Sequence, residues 1–376
     1  MTILPQITSI SLIAIGLSFT SCNGQSTSQV PNVTIADPNP NIAKGDTVSD
    51  IGKNIRCIFQ DKKDNFWFGS DGQGVYRYDG KNIILFTTRD GLSNNQIQTI
   101  QEDKSGSIWF GTADGVSRFD GRAFSIPTRK FGIDNTSTTA WEKDREDLWF
   151  QAKEGLYRYE GNSLNHLQFP KTDLDAEYYS KYPGNSVSPY SVYSIFKDSK
   201  GNLWFGTEYL GVCRYDGKDF TWFNKKGLGG AAVRAIFEDK KGNFWFSNNG
   251  FGVFRYDGKT LTNFTAEKGL GNPDYIQALK EEKFALARSL GTKGNLASIM
   301  SINADKDDNI WIGTFEEGVW RYDGEKVTHY TIKDGLSSNA IMAIYKDKKG
   351  ELWFGTQGGG VCKFNGKTFT RFQISS

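Results

Sequence analysis

The chain has 376 residues, among them 42 Gly, 27 Phe, 16 Tyr and 10 Trp, a content that favours strands, aromatic layers and tight turns over helical bundles. Its 45 basic and 43 acidic side chains leave a formal net charge of +2. That is too balanced for the Lys/Arg field that binds a nucleic-acid backbone, so no nucleic-acid partner is expected.

In chain order, residues 1–21 carry no charged side chain, and a short apolar run over residues 7–19 ends in Phe19-Thr20-Ser21-Cys22. The run is too short to cross a bilayer and is expected to be a secretion signal. Small residues before Cys22 and Asn23-Gly24-Gln25 after it resemble the lipobox at which bacterial lipoprotein precursors are cleaved and acylated. The resemblance implies a lipid on Cys22; a plain cleaved signal is the alternative. Residues 22–50, rich in Ser, Thr, Asn, Pro and Asp, are expected to form a polar tether. An odd set, Cys57, Cys213 and Cys362, cannot pair fully and is expected to be buried free thiols.

From residue 51 the chain repeats itself. An aromatic-Trp-aromatic core recurs at Trp67, Trp109, Trp149, Trp204, Trp245, Trp311 and Trp353, and six residues earlier stands Asp61, Asp103, Asp198, Asp239, Asp305 or Asp347, with Lys143 and its neighbour Asp144 as the exception. Each unit closes with a cation, an aromatic, an acid or amide, and Gly, as in Arg77-Tyr78-Asp79-Gly80. Every unit divides into four short strands, exemplified by residues 55–60, 66–68, 75–78 and 83–87. The first carries a small residue at a fixed place (Cys57, Thr99, Thr139, Ser194, Ala235, Ser301, Ala343), which fits a crowded innermost position. Four strands in about 42 residues, seven times over, predict an all-β, seven-bladed β-propeller with four antiparallel strands per blade, spanning residues 51–376. Blade 7 completes itself, so no strand exchange between termini is required; residues 33–36 are a candidate extra outer strand.

The repeat Ile-x-x-Ile-x-x-Asp-x-x-Gly-x-Leu-Trp-Phe-Gly-Thr, followed by Gly-Val-x-Arg-Tyr, resembles the two-component regulator propeller family over residues 55–372. The resemblance implies an extracytoplasmic sensor, commonly the periplasmic part of a hybrid histidine kinase, with carbohydrate as the usual ligand class. After the seventh blade the sequence shows no membrane helix, dimerisation helix or kinase, so this chain is expected not to be a kinase by itself.

The turns between strands one and two, and three and four, are nearly uniform, whereas those between strands two and three vary and share their end of the propeller with the blade-to-blade connections. Variation on a uniform scaffold is where binding is built. The candidate ligand-binding residues are therefore Asp71, Gln73, Asp114, Glu154, Glu208, Tyr209, Asn248, Asn249, Phe251, Phe315, Glu316, Glu317 and Gln357. Two long insertions fall at the same end. One, between blades 3 and 4, holds Tyr178, Tyr179, Tyr182 and Tyr190 with Asp173 and Asp175. The other, between blades 5 and 6, would place Tyr275, Ile276, Leu279, Phe284, Leu286 and Leu290 on one apolar face of a short helix. The two are expected to flank the central opening. Aromatic platforms with carboxylates and amides suit a sugar or another small envelope ligand.

The two histidines, His166 and His329, fall in fourth strands and are expected on the outer rim, so neither a catalytic base nor a metal or cofactor site is predicted. The once-per-blade cations, from Arg77 to Lys363, are expected to be ion-pairing scaffold residues. Three readings stay open: a non-catalytic, membrane-tethered receptor, periplasm-facing or on the cell surface; a scaffold for a protein partner in the cell envelope; and a carbohydrate-active lyase or hydrolase using carboxylates such as Glu316-Glu317 or Glu281-Glu282.

Overall fold

The computed structural model describes residues 42–130, 147–152, 155–160, 163–172 and 174–374. Cys22, Thr139, Lys143, Asp144, Glu154, Asp173 and residues 33–36 lie outside them. Seven sheets follow one another along the chain. Blade 1 runs through Ile55–Gln60, Phe66–Ser70, Val75–Tyr78 and Ile83–Phe86, each strand antiparallel to the last. Blades 2, 4, 5, 6 and 7 repeat this order. Blade 3 is described for Leu148–Gln151, Leu156–Glu160 and Ser163–Leu167, with Thr128–Lys130 added in parallel at the outer edge. The protein is the seven-bladed propeller that its repeats predict.

In blades 1, 2, 4, 5, 6 and 7 the first strand is a sheet edge, and first strands of adjacent blades meet: blade 1 with blades 2 and 7, blade 6 with blades 5 and 7, blade 4 with blade 5. First strands therefore surround the axis. The small residue sits there because it faces a strand-two glycine: Cys57 pairs with Gly69, Thr99 with Gly111, Ser194 with Gly206, Ser301 with Gly313 and Ala343 with Gly355.

The recurrent Asp and Trp form a polar bolt. The indole N–H of Trp67, Trp109, Trp204, Trp245, Trp311 and Trp353 donates to Oδ2 of the Asp six residues before it, at 2.8–2.9 Å. The other carboxylate oxygen accepts backbone N–H groups of the following turn, as Asp61 does from Lys63 and Asn65. A buried indole N–H needs such an acceptor. The blade cation lies over the same ring, at 5.8 Å for Arg118 on Trp109 and Arg321 on Trp311 and 3.8 Å for Lys363 on Trp353. Arg118 and Arg321 also reach Asp103 and Asp305, at 4.0 and 3.7 Å. The cations thus act as scaffold, through the ring face as well as ion pairing.

Blade 7 closes on blade 1 without exchanging a strand. Phe372 stacks with Phe68, Tyr78 and Trp353, and Lys348 Nζ donates to the Asp61 carbonyl. The tether expectation is shortened: Asp46–Val48 pairs antiparallel with Ile83–Phe86 as a fifth, outermost strand of blade 1. Cys57, Cys213 and Cys362 are free; the latter two are buried, and the first is half-buried. Burial pushes the Cys57 thiol up to about 12.

Candidate functional site

The two-three turns are built alike. The Ser or Thr ending strand two accepts or donates within its own turn, as when Thr207 Oγ1 donates to the Gly211 carbonyl at 2.9 Å. The next residue's N–H then bonds the segment opening strand one: Asp71 to Asn54, Glu208 to Ser191, Asn249 to Ala232, Phe315 to Ser298 and Gln357 to Ala340. The scaffold consumes the backbone at these positions and leaves the side chains free to vary.

Both insertions lie at this end, over the junction of blades 4 and 5. The first forms helix α1, Leu174–Lys181, which its tyrosines did not signal. Tyr178 is buried, its hydroxyl donating to the Val187 carbonyl at 2.8 Å, and it stacks edge-on against Tyr209 at 4.9 Å. Burial, followed by the nearby Glu208 carboxylate, pushes its phenol up to about 12. The second insertion is a pair of helices rather than one. After α2, Phe264–Lys268, come α3, Pro273–Lys280, and α4, Phe284–Ser289, separated where Glu282 takes φ 55°. That break re-aims the expected apolar face. Tyr275, Ile276 and Leu279 are buried, but Leu286 and Leu290 are 48% and 40% exposed.

The insertions touch through Arg288, whose guanidinium donates to the Tyr182 hydroxyl at 3.5 Å and to the Gly230 carbonyl at 2.7 Å while lying 5.0 Å from the Phe251 ring centroid. Between them is a cleft of about 420 Å³. Tyr209, Phe251 and Phe284 supply its aromatic walls, and Glu177, Lys181, Asn224 and Arg288 its polar groups. Its floor is the blade 4–5 connection. Gly227 there has φ +85°, and a Cβ on it would stand 2.2 Å from the Phe284 ring, so α4 can approach only over a glycine.

Of the sequence candidates, Tyr209 and Phe251 line the cleft, and Glu208 lies just behind it, hydrogen-bonded to Tyr193 and within the fields of Arg234 and Arg288. Burial nevertheless holds the Glu208 carboxyl above its ordinary range. Asn248 is placed as a scaffold residue: fully buried, its amide donates to the Gly227 and Leu228 carbonyls at 3.1 and 3.0 Å. The remaining candidates are spread around the ring. Asp71 accepts from Arg56 at 3.2 Å; Gln73 and Asp114 are exposed in their turns; Asn249 accepts from Ser298 at 3.2 Å. Phe315, Glu317 and Gln357 are half-buried, and exposed Glu316 accepts from the Thr292 hydroxyl. Neither Glu316-Glu317 nor Glu281-Glu282 lines the cleft.

Arg288, Lys181 and Glu177 were missed because they lie on helices whose docking no local pattern reveals. A further set was legible but unread: the residue between the apolar opener and the small residue of strand one. Both His166 and His329 are in fourth strands, the latter stacked 4.0 Å from Trp320. Among the described residues no group of three or more His, Cys, Asp or Glu side chains is gathered as a metal site, and no helix is long and apolar enough to cross a membrane.

The family model described as two component regulator propeller matches residues 49–72, 91–114, 186–209, 227–250 and 335–358, each running from strand one into the two-three turn. The chain carries two-component regulator propeller repeats. The propeller is 28% identical over 204 residues to histidine kinase P4 of Formosa agariphila, a match covering 48% of this chain and 14% of that protein's length. In fold it is similar to the extracellular domain of a proposed one-component system of B. thetaiotaomicron (TM-score 0.58, 20% identity, 88% of this chain and 40% of that one). It is equally similar to virginiamycin B lyase of Staphylococcus aureus (TM-score 0.59, 15% identity, 87% and 99%). The extracellular domain of a proposed one-component system and a lyase thus share this propeller's architecture.

Proposed function

We propose that the protein is a non-catalytic, extracytoplasmic ligand-binding propeller, and that its small ligand, a glycan or similar envelope molecule, seats in the cleft between blades 4 and 5. The observation that carries this reading is the convergence of both insertions on one blade junction, leaving an aromatic-walled cleft with polar groups at its rim. Its volume falls within the range of small-molecule sites. The ring faces of Tyr209, Phe251 and Phe284 suit apolar sugar faces, and Glu177, Lys181, Asn224 and Arg288 suit hydroxyls. The extracellular placement of the one-component-system domain that shares this fold supports the same reading.

The test is a thermal-shift screen of the mature chain against glycans, amino acids and divalent metals. A bound ligand at a hundredfold excess over Kd stabilises the fold by about 2.7 kcal/mol. A saturable shift with one chemical class, lost in Phe251→Ala and Arg288→Ala, is expected; a silent panel on folded protein refutes the reading. Anchoring is proposed through a lipid on Cys22, and radiolabelled palmitate should enter the wild type but not Cys22→Ser.

Exposed Tyr179, Val187, Leu286 and Leu290 on the insertions favour one second reading, a scaffold for a protein partner. Deleting residues 271–297 should then abolish co-purification of that partner.

A further inference from the structure

One position of the repeat varies without a scaffold reason. Between the apolar opener of strand one and the small residue facing strand-two glycine stand Arg56, Gln98, Tyr193, Arg234, Met300 and Met342. In blades 1, 2, 4, 6 and 7 the pairing with strand two skips this residue, so each sits on a β-bulge. Its neighbours explain why: opener and small residue both face into the blade, which forces the residue between them out of the ladder. All six are half-exposed, whereas the openers Ile55, Ile97, Val192, Val233, Ile299 and Ile341 are at most 5% exposed. Since first strands surround the axis, these six positions lie around it. The contact of Arg234 with Tyr193, 4.4 Å from guanidinium carbon to ring centroid, joins two neighbouring members.

The ring has two unlike sides. Tyr193 and Arg234, on blades 4 and 5, bring a phenol and a guanidinium. Arg56 is already paired with Asp71 at 3.2 Å, whereas among the described residues no carboxylate lies within ion-pairing distance of Arg234, whose guanidinium hydrogen-bonds Tyr193. Glu208 accepts a hydrogen bond from Tyr193 and stands within the field of Arg234. Blades 6 and 7 next in order contribute Met300 and Met342, two of the chain's three methionines, at a place where no core demands them. Thioethers there offer a soft apolar surface that adapts to chains and rings alike.

We propose that these axial positions form a second binding site, separate from the cleft, for a small carboxylate with an apolar body. The carboxylate lies in the fork of Arg234, and the body lies on Met300 and Met342.

Hexanoate and phenylacetate, titrated calorimetrically into the mature chain, test this, with hexylamine and phenethylamine as isosteric cations. Both carboxylates should bind saturably and neither amine should. Arg234→Met should weaken carboxylate binding about tenfold or more, the factor carried by one charge-assisted hydrogen bond. Its melting temperature without ligand should stay near that of the wild type, since the side chain is outside the ladder. Arg234→Lys, which keeps the charge and loses the fork, should fall between them, and the double variant Met300→Gln, Met342→Gln should erase the preference for hexanoate over acetate. No carboxylate binding at about 10 mM, equal binding by Arg234→Met, or equal binding of the amines overturns the proposal. A silent glycan panel does not bear on it.

Discussion

The Arg234 guanidinium of blade 5 lies 4.4 Å from the Tyr193 ring centroid of blade 4, and Glu208 accepts a hydrogen bond from that same tyrosine. Burial is the largest influence on the Glu208 carboxyl and raises it above 4.5, outweighing the tyrosine and the two arginines. A folded-state value above the unfolded one means that the folded protein holds the proton more tightly. The associated stability is full below 4.5 and is lost as pH rises through the folded value. Glu208→Gln is expected to melt no lower than wild type at pH 7 and to flatten the melting-temperature slope above pH 4.5. A lower melting temperature at pH 7 would show that the carboxylate is instead a net stabiliser.

The Asp–Trp bolt should be costly to break. Asp239 accepts the Trp245 indole at 2.9 Å, both through a buried contact, and the N–H groups of Lys241 and Asn243. Asp239→Ala leaves these donors unmet and should destabilise by about 2–4 kcal/mol in urea unfolding. Trp245→Phe in the Asp239→Ala background should cost less than in wild type, because the orphaned indole leaves with it.

The same carboxylates make the fold acid-sensitive. For Asp103, Asp198 and Asp305 burial alone would raise the carboxyl, but hydrogen bonds from the indole, neighbouring side chains and turn N–H groups prevail and hold each below 3.8. Their contribution is complete above the unfolded value and is lost as pH falls through the depressed folded values. The share of the melting temperature due to these aspartates should hold steady down to about pH 5 and fall steeply below 3.8; Asp→Asn at Asp198 and Asp305 together should lower the melting temperature at neutral pH and blunt the acid fall.

Ring closure rests on rings rather than on charge. Lys348 and Asp64 form a 2.7 Å pair with side chains 47% and 71% exposed, and such pairs contribute under about 1 kcal/mol. Phe372 instead wedges among Phe68, Tyr78 and Trp353. Asp64→Ala should leave unfolding within about 0.5 kcal/mol of wild type, and Phe372→Ala should destabilise by about 2 kcal/mol. Comparable losses from the two would contradict this division.

Much of the fold was legible because its determinants are local. The six-residue offset from Asp to Trp is the reach of a turn whose carboxylate caps the strand that follows, and the small residue of strand one answers a glycine twelve residues on. The bulge position was equally readable, as the one variable residue between two restricted ones. The added strand Asp46–Val48 was not, because a three-residue polar segment has no pattern apart from the edge that it joins.

The sequence by itself determined the number of blades, their four strands and the residues that bolt each blade, since every one of those contacts closes within a single repeat. The tertiary structure decided which loops meet. Tyr182 and Arg288 are 106 positions apart and touch only because the ring sets blades 4 and 5 side by side, with α1 and α4 folding back over their junction. A contact made by insertions from opposite sides of two blades carries no period, so the cleft is a property of the closed ring alone.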